Sequence, residues 1–428
     1  RTPRRLNNRT AFLLCALGWL TISAFGAVPL ATGAGMPVTD ALFESVSGFT
    51  TTGITLLQNL QDLPRSILLW RAIIQWIGGL GILTFFLLVV FSEDSAHRLF
   101  SAETHKIFSK RPVPGLWHTV RILWSIYGGF TALIAVLLVL EGVTVFDAVC
   151  HALTTLSTGG YSPYDSSIGH FAEAGYRHAV LIEYTVMGGM LAGGINFLFH
   201  YRALTGEPGA WIRPFEMRWF WGLLAGAVAL VAGERLVGGS VEDLHDLLRG
   251  SLFQVIALMT TTGYTTESIG APFYGAVARQ IFLALMVIGG CVGSTGGGFK
   301  VLRIGILARM VGRQLRQLTS GPSAVIPVVV DGEVIVPDEL RRIGALFFAW
   351  IVFLLGGGAV AAFFSDLGPL EAVSGMFSAL GNIGPCYISV PEMIALPGVV
   401  KVVFMAGMLA GRLEIVPVLL LFRPWAWR

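Results

Sequence analysis

Threonines and glycines, rather than acids, histidines or cysteines, hold the positions in this sequence that could do chemistry. The clearest run is Thr260-Thr261-Thr262-Gly263-Tyr264. Such a run can present successive backbone carbonyls to a dehydrated cation in place of its hydration shell. Glycine is needed because its lack of a Cβ permits the positive φ that turns carbonyls toward one side. Five residues alone would mean little, but the run recurs. Thr50-Thr51-Thr52-Gly53 lies upstream, Leu156-Ser157-Thr158-Gly159 continues into Gly160-Tyr161, and Gly381-Asn382-Ile383-Gly384 is a degenerate fourth copy. With Gly53, Gly159, Gly263 and Gly384 aligned, the intervals are roughly 105 to 120 residues, so the chain reads as four repeats of one unit. Asn382 and Ile383 replace threonines, so a ring built from the four copies is only pseudo-fourfold.

A second feature is Gly289-Gly290-Cys291-Val292-Gly293-Ser294-Thr295-Gly296-Gly297-Gly298-Phe299-Lys300. A phosphate cradle does not fit: G-x-x-x-x-G-K-[ST] is not matched, and the run lies inside an apolar stretch. Glycines this dense cannot hold a regular helix. The reading is an intramembrane loop, with Gly290, Gly293, Ser294, Thr295, Gly296, Gly297 and Gly298 as a flexible barrier below the filter and Lys300 at its end; the other reading is a glycine-rich helix-packing patch. Arg412 and Glu414 lie in the last apolar stretch. An intramembrane charge costs at least about 2.5–3.5 kcal/mol on insertion scales and is a functional candidate by default. A cation beside a cation path raises a local barrier, which makes Arg412 a gate candidate; the other reading is a structural ion pair. Arg412 and Glu414 are two apart and do not share a helical face, so each is expected to find its partner on another helix.

The elements that position these residues follow from composition. The 428 residues are 54% hydrophobic and 13% charged, where soluble domains carry about 25% charged residues; this chain belongs in lipid. Ala11–Leu30 is long enough to span a bilayer at about 20 residues. Asp40–Phe49 is too short and reads as a re-entrant half-helix, and Ser66–Phe91 returns. The unit recurs as Thr119–Leu140, Phe146–Thr155 and Ala179–Phe199, then as Arg218–Val237, Leu244–Met259 and Ala278–Val311. The last copy is Ile343–Phe364, Glu371–Leu380 and Leu396–Phe422. Non-helical backbone at membrane depth must be buried in protein or line a wet cavity, so the four loops face one another. The fold class is therefore an all-α polytopic membrane protein, with four helix–pore-loop–helix repeats in a pseudo-fourfold arrangement around a central ion pore. The units are residues 1–100, 101–206, 207–318 and 340–428, with a linker at 319–339.

Charge placement orients the chain. Arg1, Arg4, Arg5, Arg9, Arg98, Lys106, Lys110, Arg111, Arg121, Arg202, Arg213, Arg218, Arg303, Arg309, Arg313, Arg316, Arg341, Arg342, Arg423 and Arg428 fall on one side, which the positive-inside rule makes cytoplasmic along with both termini. Asp40, Glu44, Asp62, Asp147, Asp165, Glu173, Glu242, Asp243, Asp246, Glu267, Asp366, Glu371 and Glu392 bias outward, where they form an acidic mouth or serve as ordinary loop and helix-start charges. Val325–Val336 carries Asp331-Gly332 between β-branched runs and predicts a hairpin, read as an ordered linker or a docking element for a cytosolic subunit. Cys15, Cys150, Cys291 and Cys386 show no metal spacing and read as small hydrophobes. An intramembrane enzyme would need a catalytic constellation at depth, yet no H-e-x-x-H pattern and no paired Asp occurs in the spans, and the histidines, among them His151 and His200, are placed in loops or at helix ends. No nucleic-acid partner is indicated.

The T-x-G runs resemble the Thr-Val-Gly-Tyr-Gly filter of potassium channels. The chain as a whole resembles the Trk/Ktr/HKT superfamily of potassium transporters, most closely its TrkH branch, on Phe43-Glu-Ser, Thr51-Thr-Gly53, Gln75–Ile82, Ser157–Gly160, Gly289–Gly298 with Lys300, and Gly411-Arg-Leu-Glu414. The resemblance implies K+ as the transported ion, a homodimer with one pore per protomer in a prokaryotic cytoplasmic membrane, and no cofactor in this chain. It implies a cytosolic TrkA/KtrA-like ring that binds a nucleotide (ATP/ADP or NAD). It also implies an intramembrane loop as gate with Arg412 as its partner, and potassium over sodium because glycine stands at 53. Two further helices expected ahead of the first pore unit are not in this sequence. Sodium permeation and proton- or sodium-coupled symport are the alternatives within transport.

Overall fold

A computed structural model describes residues 8–91, 116–238, 243–321 and 324–421. The basic positions 1, 4, 5, 98, 106, 110, 111, 423 and 428 and the acid at 242, which entered the charge argument, lie outside the described residues. Four long apolar helices, Asn8–Gly33, Leu116–Leu140, Phe215–Val237 and Pro337–Phe364, each open a repeat, and segments of these four are long and apolar enough to cross a membrane. A shorter helix follows each: Val38–Phe49, Val145–Leu156, Leu244–Met259 and Pro369–Gly381. Acids stand in the first turn of every one, Asp40, Asp147, Asp246 and Glu371, where they meet the positive end of the helix dipole. Thr144 and Asp243 add side-chain caps, to the N–H groups of Asp147 and His245.

The return helices differ from one another. The first, Arg65–Phe91, is continuous, whereas the second is Ala179–Gly194 followed by Phe197–Leu204, bent by 104°. The sequence reads Ala179–Phe199 as one span, and the structure corrects this. Asn196 Oδ1 accepts from Leu198 N at 2.8 Å and starts a new helix, while the Gly193 and Gly194 carbonyls accept from a neighbouring loop. The third return helix is interrupted as expected, into Ala276–Ile288 and Val301–Leu318. The fourth, expected whole over Leu396–Phe422, is Gly398–Leu413 and Ile415–Leu421, divided at Glu414, whose φ is 66°.

Each half-helix packs against the opening and return helices of its own repeat and against the return helix of the preceding repeat, and the fourth return helix packs on Val38–Phe49. The contacts therefore run in a closed cycle. The two hydrophobic clusters follow it, one built mainly from repeats two and three and the other from repeats one and four.

The hairpin forms, with Val329–Val330 antiparallel to Glu333–Val334 and positive φ at Asp331 (46°) and Gly332 (88°), the type I′ geometry that Asp-Gly favours. Its turn docks on the chain's own third opening helix. Asp331 Oδ1 and Oδ2 accept from Phe215 N at 2.8 and 3.0 Å, Arg218 lies 3.8 Å away, and Val328, Val330 and Ile335 are buried. The following helix begins at Pro337, inside the stretch read as linker. Asp331→Ala removes this cap. The expected loss is about 0.5–2 kcal/mol, visible as a lower thermal midpoint of the purified protein.

Candidate ion filter and gate

The four half-helices end alike. A non-glycine residue with positive φ follows each, Thr51 (52°), Thr158 (54°), Thr261 (60°) and Asn382 (55°), and two residues later stands a positive-φ glycine, Gly53 (83°), Gly160 (74°), Gly263 (78°) and Gly384 (106°). The N–H groups of Gly53, Gly160 and Gly263 turn back to the carbonyls of Ser47, Thr154 and Ala257, and Gly384 N donates to Ser378 Oγ at 3.1 Å. This register corrects the sequence alignment by one residue in the second repeat. Gly160, the glycine before a tyrosine as in Gly263-Tyr264, stands level with Gly53, and the tetrad is Ser157-Thr158-Gly159-Gly160. Leu156 is the last residue of its half-helix, and its carbonyl oxygen lies 2.9 Å from Thr295 Oγ1.

The four loops close on one another. A Cβ on Gly53 would fall 2.2 Å from the Gly159 carbonyl oxygen, one on Gly160 2.0 Å from that of Thr262, one on Gly263 1.7 Å from that of Ile383, and one on Gly384 3.0 Å from that of Thr52. Each glycine thus gives its side-chain space to the peptide before the next repeat's glycine. All four glycines line one cavity of about 760 Å³, whose wall also carries Asp165, Glu173 and Glu267. Two other acids read as part of an outer mouth are placed elsewhere. Glu44 is fully buried and pairs with Arg71 at 3.0 Å, and Asp40 accepts from Lys401 Nζ at 2.8 Å.

Behind the ring, side chains tie each loop to its surroundings. Tyr161 OH donates to the Glu44 carbonyl at 3.0 Å, and Tyr264 OH lies 2.5 Å from Thr154 Oγ1, so each tyrosine grips the half-helix of the preceding repeat. Gln75 Nε2 donates to the Gly159 carbonyl at 2.7 Å and its Oε1 accepts from Tyr161 N at 3.0 Å. Glu44, His151 and Gln254 occupy one equivalent position, five residues before Phe49, Leu156 and Met259. Each holds the segment that leaves its own tetrad: Glu44 through Leu56 N at 2.9 Å, His151 through Ser162 Oγ at 3.1 Å, Gln254 through the Tyr264 carbonyl at 3.5 Å. Sequence reasoning placed His151 in a loop or at a helix end; it is buried inside a half-helix. His200, read the same way, is the middle of Phe197–Leu204. Arg71 and Lys401 were not singled out, although each is a lone cation in or beside an apolar span.

The glycine-rich loop lies against the end of this ring away from the cavity. The helix stops at Gly289 (φ 72°), and Gly293 (68°), Gly298 (76°) and Lys300 (85°) turn the chain before Val301. Gly297 N donates to Thr261 Oγ1 at 2.7 Å, Thr158 Oγ1 donates to Thr295 Oγ1 at 3.3 Å, and a Cβ on Gly297 would come within 2.8 Å of Asn382 Cβ. The loop therefore touches the left-handed residue of three of the four tetrads. Cys291 N and Thr295 N donate to the Gly194 and Gly193 carbonyls, which is the reason the second return helix breaks there. Gly290 passes close to that same Gly194 carbonyl. Ser294 Oγ bonds the Cys291 carbonyl at 2.6 Å and accepts from Gly296 N at 3.2 Å, and Lys300 Nζ donates to the Gly296 carbonyl.

Arg412 fastens the loop. Buried in the fourth repeat, it donates through Nη1 to the Thr295 carbonyl at 2.6 Å and through Nη2 to the Gly78 carbonyl of the first return helix at 2.8 Å. Its planar fork suits two acceptors at once, and among the described residues no carboxylate pairs with it. Glu414 instead meets Arg303 Nη2 at 2.5 Å. The two charges have separate partners, Arg412 on the loop and the first return helix and Glu414 on Val301–Leu318.

A profile of the TrkH family, described as cation transport protein, matches residues 2–426. The Trk system potassium uptake protein TrkI of Halomonas elongata is 34% identical over all of this chain and 86% of its own length. The Trk system potassium uptake protein TrkH of Salmonella typhimurium is 32% identical over all of this chain and 88% of its own. The crystal structure of the potassium transporter TrkH from Vibrio parahaemolyticus superposes with a TM-score of 0.85 at 30% identity, covering all of this chain and 88% of that one.

The register of the second tetrad is open to test. Gly160→Ala places a methyl against the Thr262 backbone carbonyl at positive φ, while Gly159→Ala, free of that backbone strain, meets the Gln75 side chain first. Gly160→Ala is expected to lower the thermal midpoint by the larger amount, the left-handed backbone alone costing about 1–2 kcal/mol.

Proposed function

The chain belongs to the TrkH family of cation transport proteins, and from that premise we propose that it takes up potassium across the cytoplasmic membrane through the ring of four tetrads. The observation that carries this reading is the closed cycle in which Gly53, Gly160, Gly263 and Gly384 each pack on the next repeat's carbonyl at the floor of an acid-lined cavity. Four half-helices present their C-terminal, partly negative ends to the same place, so a cation that leaves water meets oriented carbonyls rather than hydrocarbon. Thr50–Gly53, Ser157–Gly160, Thr260–Gly263 and Gly381–Gly384 supply those carbonyls. The side chain of Asn382 in the fourth repeat donates to Thr52 Oγ1 at 2.9 Å, so the departure from threonine adds a tie between neighbouring tetrads. Asp165, Glu173 and Glu267 raise the local cation concentration at the outer entrance.

Gly290–Gly298 is the gate. It stands under the tetrads, held there by Arg412, whose charge opposes a cation arriving from the filter. Lys300 ends the loop and Val301–Leu318 continues from it, so a pull on that helix from the cytosolic side would draw the loop away. A nucleotide-binding ring docked there would exert such a pull, and a homodimer with one pore per protomer would present two such helices to it. Support for both partners is the family resemblance and the basic, amphipathic character of this helix, with Arg309, Arg313 and Arg316.

The test is ion flux in liposomes of purified protein. Potassium is expected to pass in preference to sodium. Arg412→Ala and a shortened Gly290–Gly298 are each expected to raise potassium flux by about tenfold, the effect of lowering a barrier by about 1.4 kcal/mol. Unchanged flux in both variants would sink the gate.

A further inference from the structure

We infer that the buried Glu44–Arg71 pair is a positioning device that sets ion discrimination by fixing the seam between the first and second tetrads. This inference rests on the transport reading above. Three half-helices carry a polar side chain at the equivalent position, but only the first carries a charge, and only that charge has a partner beyond its own loop. Glu44 Oε2 accepts from Leu56 N at 2.9 Å, and Oε1 accepts from Thr55 Oγ1 at 2.9 Å and from Arg71 Nε at 3.0 Å. Arg71 then reaches both loops. Its Nη2 donates to Thr55 Oγ1 at 3.1 Å, its Nη1 donates to the Ser162 carbonyl of the second repeat at 3.2 Å, and its guanidinium stacks 4.1 Å from the centre of the Tyr161 ring.

The second and fourth repeats offer no such bridge. Gly78, Gly193 and Gly411 lie alike against a carbonyl at the end of a half-helix, those of Phe49, Leu156 and Leu380. Seven residues before these glycines stand Arg71, Val186 and Phe404, so of these three repeats only the first carries a cation there. Arg71 and Glu44 are 1% and 0% exposed, and the segments they hold, Thr55–Leu56 and Tyr161–Ser162, lie just after Gly53 and Gly160, with Thr55, Tyr161 and Ser162 lining the cavity beside the ring. A smaller ion would draw the carbonyls inward. Whether discrimination arises from cavity size or from carbonyl field strength, it depends on how far those carbonyls can follow. A guanidinium clamped between two exit segments by charge-assisted bonds limits that movement at one seam.

The experiment compares potassium with sodium permeability in liposomes, for wild type, Glu44→Gln, Arg71→Gln and the milder Thr55→Val, which removes the hydroxyl shared by both charges. The potassium-to-sodium ratio is expected to fall by about three- to tenfold in the two charge variants and by a smaller factor in Thr55→Val. The double variant Asp40→Asn, Lys401→Met breaks another buried inter-repeat pair away from the exit segments and is expected to keep the wild-type ratio. Arg71→Lys, which retains charge but not the fork, is expected to lie between wild type and Arg71→Gln. A wild-type ratio in the folded charge variants overturns the inference, as does one in Thr55→Val should the charge variants fail to fold. An equal fall in the Asp40/Lys401 control overturns it too, since the effect would then be general loosening. A wild-type protein that does not discriminate would instead overturn the transport reading, and this inference with it.

Discussion

Irregular backbone at membrane depth has no water to satisfy it, and the rest of this structure follows from that constraint. The four tetrads and Gly289–Lys300 break the helical rule. None stands alone. The N–H groups of the tetrads fold back onto their own half-helices, their glycines accept the backbone of the next repeat, and the long loop spends its N–H groups on Gly193, Gly194, Thr261 and Glu216. The broken second return helix is part of the same arrangement. It gives up the helical use of two carbonyls because a neighbouring loop needs them.

Carrying four repeats on one chain releases them from being identical, and the functional asymmetry uses this freedom. Glu44, His151, Gln254 and Gly375 occupy one position four times with four chemistries. The loop under the ring comes from the third repeat, the arginine that holds it from the fourth, and the carbonyl that completes the arginine's fork from the first. Four copies of one subunit could not place a single loop and a single cation beneath a shared axis.

Much of this was legible in the sequence because glycine and threonine at fixed spacing have few structural uses in apolar surroundings. The repeats, the half-helices, the interrupted third return helix, the Asp-Gly hairpin and the separate partners of Arg412 and Glu414 all followed from residue type and spacing. The register of the second tetrad did not, because Gly159-Gly160 offers two glycines and only backbone dihedral angles choose between them. Gly193-Gly194-Ile195-Asn196 reads as continuing helix, since the reason it breaks lies about a hundred residues later, in Cys291 and Thr295. Glu44 looked like a mouth charge because its partner, Arg71, is another lone charge in a span, and nothing local pairs them.

The seam between the fourth and first repeats also has a meaning for biogenesis. Asp40, in the first turn of the first half-helix, waits for Lys401, which lies 361 residues further along the chain, and Thr52 waits for Asn382 across 330. At about 5–20 residues per second of synthesis, the first half-helix exists for roughly 20–70 s before either partner has been made. The ring cannot be closed before its last quarter is made. Closure is a late event, when the last repeat enters the membrane, and until then the face of the first tetrad that meets the fourth repeat lacks its native contacts.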